Sequence, residues 1–321
     1  MRSLTRTVVA AALCVFAVDA RAQEKVTISI ATGPTTGVYY PLGGGIANLV
    51  SKYVPGYAAN AETTAGSVAN LQLIGQKKSD VGFSMADAAY DGFKGQGKFA
   101  GAPVPMRTLL VAYPNKMHVV TVEGMGIVKF ADLKGKRVST GAANSATELM
   151  AQRTLEAMGV DQEKDIRRER LDPGKSADAI KDRKLDAFFW VGGVPTAAVT
   201  DLGATPGTKL KLIPHGEAVE KMNQKYGPLY LRDTIPAKSY PGQDQPVEVA
   251  TVQNVIVARA DMPDQVAYNI VKTIFDKRDD LIAVHKEAAN FKLENQKASA
   301  SPVPFHPGAV KYFAEKGIKV N

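Results

Sequence analysis

Apolar and polar positions along the chain repeat in two periods, near two and near 3.6 residues, and the period switches many times. Val26–Ala31 alternates and is β-branched, which predicts a strand. Tyr39–Tyr53 carries apolar residues at helical spacing, with Pro41 in the first turn, where proline is tolerated. The same reading predicts strands at Ala58–Thr63, Asp80–Ser84, Arg137–Thr140, Ile166–Leu171, Ala187–Val191 and Lys209–Ile213. Helices are expected at Ser67–Gln76, Ala86–Phe93, Ser145–Met158, Ser176–Arg183 and Val194–Leu202. Strands that alternate with helices predict an α/β fold with a mainly parallel sheet.

Two stretches break this alternation. Arg107–Val122 is long and extended, contains Pro114 and has no helix behind it, and Val249–Ala258 is a second β-rich run. Such a pair can carry the chain from one domain into another and back. The layout expected is lobe 1 from residues 23–113 plus 251–321, and lobe 2 from 114–250. Gly227–Pro246 is rich in Pro, Gly, Tyr and Asp and reads as loop and turn. Pro263–Asn321 reads as mostly helical, broken near its end by Pro302, Pro304 and Pro307.

The first residues predict the compartment. Arg2 and Arg6 precede an apolar run from Val8 to Val18, and Ala20-Arg21-Ala22 has the small-x-small form of an export cleavage site. The run is shorter than the roughly 20 residues a membrane span needs. Residues 1–22 therefore read as a signal peptide, and the mature protein is expected in the periplasm. Cys14 is the only cysteine, so the mature chain would carry no disulfide, thiol nucleophile or thiolate metal site. The formal charge of +8 falls to about +6 without the three arginines and one aspartate of that segment. The densest basic run, Lys164–Arg170, is interleaved with Asp165 and Glu169, which suits a solvated surface better than a nucleic-acid partner. The mild positive bias favours an anionic ligand.

Open α/β sheets bind ligands where strands lead into helix N-termini. Three such loops here are rich in small and hydroxyl residues. The first runs from Ala31 to Pro41 and offers Thr32, Gly33, Gly37, Tyr39 and Tyr40; it is neither a Walker loop nor a dinucleotide fingerprint, and an ordinary glycine-rich turn explains it equally well. The second offers Thr64, Gly66, Ser67 and Asn70, with Ser67 also readable as a plain helix cap. The third offers Thr140, Gly141, Asn144 and Ser145; Ser145-x-x-Glu148 forms a capping box, which makes Glu148 a structural cap. Ser84, at the end of a strand, and Trp190 and Gly193, after another, complete the expected binding set. The four histidines have no metal-ligand spacing, and neither HExxH nor Gly-x-Ser-x-Gly occurs, so no metal, cofactor or catalytic residue is assigned. A binding protein is the expectation, not an enzyme.

At these loops the sequence resembles the TAXI family, the TRAP-associated extracytoplasmic solute receptors. The resemblance rests on Thr32-Gly33 through Tyr39-Tyr40-Pro41-Leu42-Gly43, Gly66-Ser67-x-x-Asn70-Leu71 and Asp87-x-x-Tyr90-Asp91. It continues through Asp132-Leu133-Lys134-Gly135-Lys136-Arg137-Val138, Asp186-Ala187-Phe188-Phe189, Tyr240-Pro241-Gly242-Gln243-Asp244 and His306-Pro307-Gly308-Ala309 with Tyr312. It implies a two-lobed periplasmic-binding-protein fold with two hinge crossovers. It also implies a small anionic ligand, a dicarboxylate such as glutamate or 2-oxoglutarate, held between the lobes; a monomer is expected. The partner implied is a TRAP-type membrane permease; a membrane receptor kinase is the alternative, and an enzyme on the same fold a more distant one. The chain departs from the family pattern at Gly141–Glu148, at Gln253 and Asn254, and at Phe189-Trp190-Val191, all close to the expected pocket.

Overall fold

The computed structural model describes residues 25–320, so the expected signal peptide, residues 1–22, lies outside the described residues. The chain opens with β1 (Val26–Ala31), α1 (Tyr39–Tyr53), β2 (Tyr57–Glu62), α2 (Ser67–Gly75), β3 (Val81–Met85) and α3 (Ala86–Lys94). β1 pairs in parallel with β2 on one side and β3 on the other. Parallel neighbours need a return path over the face of the sheet, and α1 and α2 provide it. Leu42, Ile46 and Val50 of α1 and Leu71 and Ile74 of α2 are buried in one cluster with Ile30 and Phe83 of the sheet. Full burial of such a side chain stabilises the fold by about 2 kcal/mol.

β4 (Met106–Val122) then leads to β5 (Arg137–Ser139), α4 (Ala146–Ala157), β6 (Arg167–Glu169) and α5 (Pro173–Lys181). β7 (Ala187–Gly192), α6 (Ala197–Ala204), β8 (Leu210–Leu212), α7 (Ala218–Tyr226) and β9 (Tyr230–Ile235) follow. β10 (Val247–Arg259) returns, and α8 (Asp264–Asp276), α9 (Arg278–Val284) and α10 (Pro307–Glu315) end the chain. The strand order is β2-β1-β3-β10-β4-β7-β5-β6, with β8 beside β4 and β9 beside β10.

β4 and β10 run antiparallel to each other from Met106↔Arg259 to Lys116↔Thr251. The later half of β10 pairs with β3, and the later half of β4 pairs with β7. Each long strand is therefore an edge of one half-sheet at one end and of the other at the opposite end. The result is two α/β lobes joined through one strand pair. Most residues of β4 are buried and none is exposed, as expected for a strand covered on both faces.

Three local readings of the sequence need correction. Gly227–Pro246, expected to be loop, contains β9, which pairs with β10 from Tyr230↔Val252 to Ile235↔Val247. Only Tyr230 and Ile235 of β9 are buried, so this edge strand lacks the alternation that signals a sheet. The helix expected from Val194 begins at Ala197, because Gly193–Thr196 form a turn in which Thr196 Oγ1 donates to the Gly193 carbonyl at 2.7 Å. The helix expected from Ser176 begins at Pro173, capped by Asp172, whose carboxylate accepts from Lys175 N at 2.9 Å.

Two glycines test how tightly the helices pack. A Cβ at Gly308 of α10 would lie 2.1 Å from the Asp264 carbonyl oxygen on α8. At Gly44 of α1 it would meet nothing within 4 Å. Gly308→Ala should destabilise the protein by about 1–3 kcal/mol or more through overpacking. Gly44→Ala should stabilise it by about 0.5–1 kcal/mol through helix propensity. Urea unfolding of both variants checks this, and a shift of the same sign in both would contradict the packing described.

Candidate functional site

The three expected loops and the turn after β7 meet at one seam between the lobes. Asn144 of the third loop accepts a hydrogen bond from Ala69 N of α2 at 3.0 Å. Thr36 of the first loop accepts from Ala198 N of α6 at 3.4 Å. Gly37 lies so close to Trp190 that a Cβ there would sit 3.1 Å from the indole ring. Gly66 lies beside Ser145, and a Cβ on Gly66 would sit 3.9 Å from that of Ser145. Helices α1, α2 and α4 begin at this seam, and the first-turn N–H groups of a helix have no acceptor of their own within it.

Many of the hydroxyl and amide side chains singled out from the sequence serve the scaffold. Thr32 Oγ1 donates to the Glu62 carbonyl at 2.6 Å. Asn70 Nδ2 donates to the carbonyls of Thr32 and Phe83 at 2.6 and 2.8 Å, and Thr64 Oγ1 donates to Asn70 Oδ1 at 2.6 Å. Asn70 thus ties the ends of β1 and β3 to the second loop. Ser84 Oγ donates to the Met85 carbonyl, and Ser67 Oγ accepts from Met85 N. Thr140 Oγ1 accepts from Arg168 Nε at 3.0 Å. Trp190 Nε1 donates to Thr196 Oγ1 at 2.8 Å. Gly33 and Gly141 are backbone turns, the latter at φ +96°, and Tyr40 stays partly exposed.

The capping box is half formed. Ser145 Oγ accepts from Glu148 N at 3.0 Å, as expected of the cap. The Glu148 carboxylate, however, accepts from Asn144 N at 3.2 Å and not from Ser145 N, which already donates to the Ala142 carbonyl. Asn144 sits at φ +62°, a conformation asparagine tolerates, and it turns the chain so tightly that its own N–H is the one within reach. Glu148 also pairs with Arg168 and Arg170 at 2.8 and 2.7 Å, which engages the cations nearest the third loop.

A second polar cluster lies where β4 and β10 cross; the sequence reading named its Tyr39 and Asn254 but neither Asn115 nor Tyr113. Asn254 Nδ2 donates to the Tyr113 carbonyl at 3.0 Å, so Asn254 Oδ1 points toward Asn115 and Tyr39. Tyr39 Oη and Asn115 Nδ2 both donate to that oxygen, the latter at 2.9 Å. Burial raises the Tyr39 phenol above its ordinary range, which keeps its proton in place. Two buried atoms of the cluster have no partner: Asn115 Oδ1 and Tyr113 Oη. Such a group costs about 1–3 kcal/mol while unmet. The signal was present in the sequence as amides at Asn115 and Asn254, one on each crossing strand, but no spacing rule joins them.

A charged cluster crosses the seam on its flank. Arg153 of α4 pairs with Asp91 of α3 at 2.6 Å and lies 3.8 Å from Asp87. Tyr230 Oη accepts from Arg153 Nη1 at 2.8 Å and donates to Asp87 Oδ2 at 2.9 Å. The guanidinium also lies over the Tyr226 ring at 4.4 Å. Burial opposes the charge on Arg153, but Asp87, Tyr230 and Asp91 more than offset it and hold its pKa above the ordinary value. Burial raises the carboxyl of Asp87, with Arg153 pulling it back. Across the opposite side, Glu287 Oε1 accepts from Val194 N at 2.7 Å. Nearby, the His285 ring donates through Nε2 to the Pro195 carbonyl at 3.1 Å.

Two further histidines are buried in lobe 2. His118 bonds Tyr240 Oη at 2.7 Å, and that hydroxyl accepts from Thr196 N behind Trp190. His215 Nδ1 lies 2.9 Å from the Ile213 carbonyl. Among the described residues no group of three or more His, Cys, Asp or Glu is arranged to hold a metal ion, and no helix is long and apolar enough to cross a membrane.

A family model, the NMT1-like family, matches residues 30–317. The chain belongs to the NMT1-like family. Solved structures similar to this NMT1-like protein share its fold at low identity. A Bordetella bronchiseptica protein is 18% identical with a TM-score of 0.53, covering 91% of this chain and 89% of that one. The binding protein component of an ABC phosphonate transporter from Pseudomonas aeruginosa is 13% identical with a TM-score of 0.52, covering 84% and 80%. A Streptococcus mutans protein, described with glutathione import and a cystine ABC importer, is 12% identical with a TM-score of 0.50, covering 83% and 96%. The fold is the two-lobed periplasmic-binding-protein fold.

Two outcomes follow from these side chains. Arg153→Met leaves Asp87 and Asp91 buried without their cation and should cost about 3–5 kcal/mol. Urea unfolding measures this, and an unchanged transition would mean the ion pairs contribute nothing. Burial also lowers both His118 and His215 to about 4. The unfolded chain takes up those protons near pH 6.5, so this stability is present above pH 6.5 and is lost as pH falls toward 4. The loss is on the order of 3 kcal/mol per histidine at the acid end. The raised carboxyls of Asp87 and Asp91 act in the opposite sense, so imidazole resonances are the direct check. Both rings should remain neutral at pH 5; protonation near pH 6.5 would contradict their burial.

Proposed function

We propose that this NMT1-like protein is an extracytoplasmic solute-binding protein that closes its two lobes on a small molecule and presents it to a membrane importer. The observation that carries this reading is the seam itself. Loops from both lobes, three helix N-termini and the single tryptophan converge there, and two buried polar atoms at its floor have no partner. Neutral donors and helix dipoles suit reversible binding of a polar or anionic solute better than bond-breaking.

The pocket in this reading takes Gly37, Tyr39, Gly66, Ser67, Asn144 and Ser145 from the loops, with Trp190 and Gly193 on the facing lobe. Thr32, Thr64, Asn70 and Thr140 hold those loops in place. Lobe 1 comprises residues 23–113 and 251–321, lobe 2 comprises 114–250, and closure bends β4 and β10. Their closed surface is what an importer distinguishes from the open one. The chain works as a monomer, and residues 1–22 direct its export.

The resemblance to the TRAP-associated receptors favours a TRAP-type permease and a dicarboxylate such as glutamate or 2-oxoglutarate. A second reading, an ABC-type importer, is favoured by similar folds described with phosphonate, glutathione and cystine transport. Uptake of bound solute into vesicles separates the two: dependence on an ion gradient supports the first, and dependence on ATP the second.

Binding itself is tested by thermal unfolding of the mature protein against dicarboxylates, amino acids, phosphonates and sugars. A solute at about 100 times its Kd should add about 2.7 kcal/mol of stability. Trp190 is the only tryptophan in the chain and lies against Gly37, so its fluorescence should change with the same solute. A stabilising solute that leaves Trp190 emission unchanged would place binding elsewhere.

A further inference from the structure

The cluster at the crossing strands carries information about what the solute must look like. The Asn254 amide is oriented by its bond to the Tyr113 carbonyl, so its oxygen is the atom that faces Asn115. The Asn115 amide is then oriented in turn: turned over, it would set its oxygen against that of Asn254. Nδ2 of Asn115 is spent on Asn254 Oδ1 at 2.9 Å and on Tyr39 Oη at 3.3 Å. What remains is Oδ1, an acceptor with no donor, on a residue that is 1% exposed. Tyr113 Oη is unmet beside it on the same strand, its ring stacked on Phe291 at 6.4 Å.

The charged groups near this spot are already engaged. Lys116, next along β4, pairs with Asp233. Glu287 accepts from Val194 N and from Asn290 Nδ2. An amide oxygen accepts hydrogen bonds and cannot give one, so it rewards an N–H or O–H and not a bare carboxylate. Sites of this kind discriminate strongly, because an analogue lacking the donor leaves the acceptor buried and unmet.

We propose that Asn115 is a specificity-determining residue, and that the solute carries an ammonium, amide or hydroxyl donor that Asn115 Oδ1 accepts. The inference rests on the binding reading above and narrows it: amino or hydroxy acids are preferred over plain dicarboxylates of the same length. Asn115 leaves its acceptor open where a framework residue would close it.

The test uses matched pairs that differ by one donor: L-glutamate and glutarate, L-malate and succinate, L-alanine and propionate. Calorimetry on the mature wild-type protein should find one donor-bearing member bound at least ten-fold more tightly than its partner. Asn115→Leu should bring that pair to within about three-fold of each other. A donor-free member binding as well as its partner would overturn the proposal, as would discrimination that survives Asn115→Leu. Those results leave the binding reading intact, whereas failure of all six compounds to bind would overturn the amino-acid or hydroxy-acid assignment together with the dicarboxylate one. A second readout needs no ligand. If the open Oδ1 of Asn115 serves a solute and not the fold, Asn115→Leu should leave the unfolding midpoint of the ligand-free protein nearly unchanged, removal of the unmet acceptor offsetting the two Nδ2 bonds lost. A midpoint lowered by several degrees would make Asn115 a framework residue.

Discussion

The antiparallel pairing of β4 with β10 is the constraint on which the rest of the structure depends. Each strand is long enough to serve two half-sheets, and together they are the route by which the chain leaves one lobe and returns to it. Relative motion of the lobes must be absorbed by this pair or by the segments beside it. Its register shifts between Gln253 and Val255 and again between Ile256 and Val257. Such irregularities increase local twist and loosen the ladder, so the pair is stiff where it is apolar and less regular near the seam. Asn254 lies in that less regular stretch, and Asn115 pairs with Val252 just before it. In the proposed reading their positions couple the solute site directly to the strands that bend on closure.

Two kinds of polarity meet at the seam, with different consequences. The floor is neutral, built from amides, phenols and backbone. The flank is charged, with one buried guanidinium between two carboxylates. A buried ion pair contributes little net stability once desolvation is counted, yet it is costly to break. It therefore acts on which arrangement forms more than on how stable the fold is. In the proposed division of the chain Asp87 and Asp91 belong to one lobe and Arg153 and Tyr230 to the other, so the network would be complete only when the lobes meet. The latch through Glu287 and Val194 N works the same way from the opposite side.

Much of this was legible in the sequence because it follows from period and turn chemistry. The β1-α1-β2-α2-β3 series, the two crossing stretches and the helix starts at Ser67 and Ala146 all have local signals. β9 and α7 did not. β9 is an edge strand whose middle residues face solvent, and α7 buries only Ala218, Val219 and Met222. Packing defines both elements, and their own sequence patterns do not. The loops that meet at the seam were also recognisable, since small and hydroxyl residues before helices are local features. What those side chains do there is not local. Asn70 had the composition of a ligand contact, but its hydrogen bonds go to carbonyls 38 and 13 residues away.

That difference explains why the most informative atoms were missed. A folded scaffold spends donors and acceptors on itself wherever it can, and a hydroxyl-rich loop gives it many chances to do so. Function resides in the bonding capacity left over, which depends on how every neighbouring group is oriented. Asn115 looks unremarkable beside Pro114 in the sequence. It becomes conspicuous only after Tyr113 has oriented Asn254, Asn254 has oriented Asn115, and one oxygen is left without a partner. Composition pointed to the loops that meet at the seam, and a count of hydrogen bonds identifies which side chains there keep an acceptor unmet.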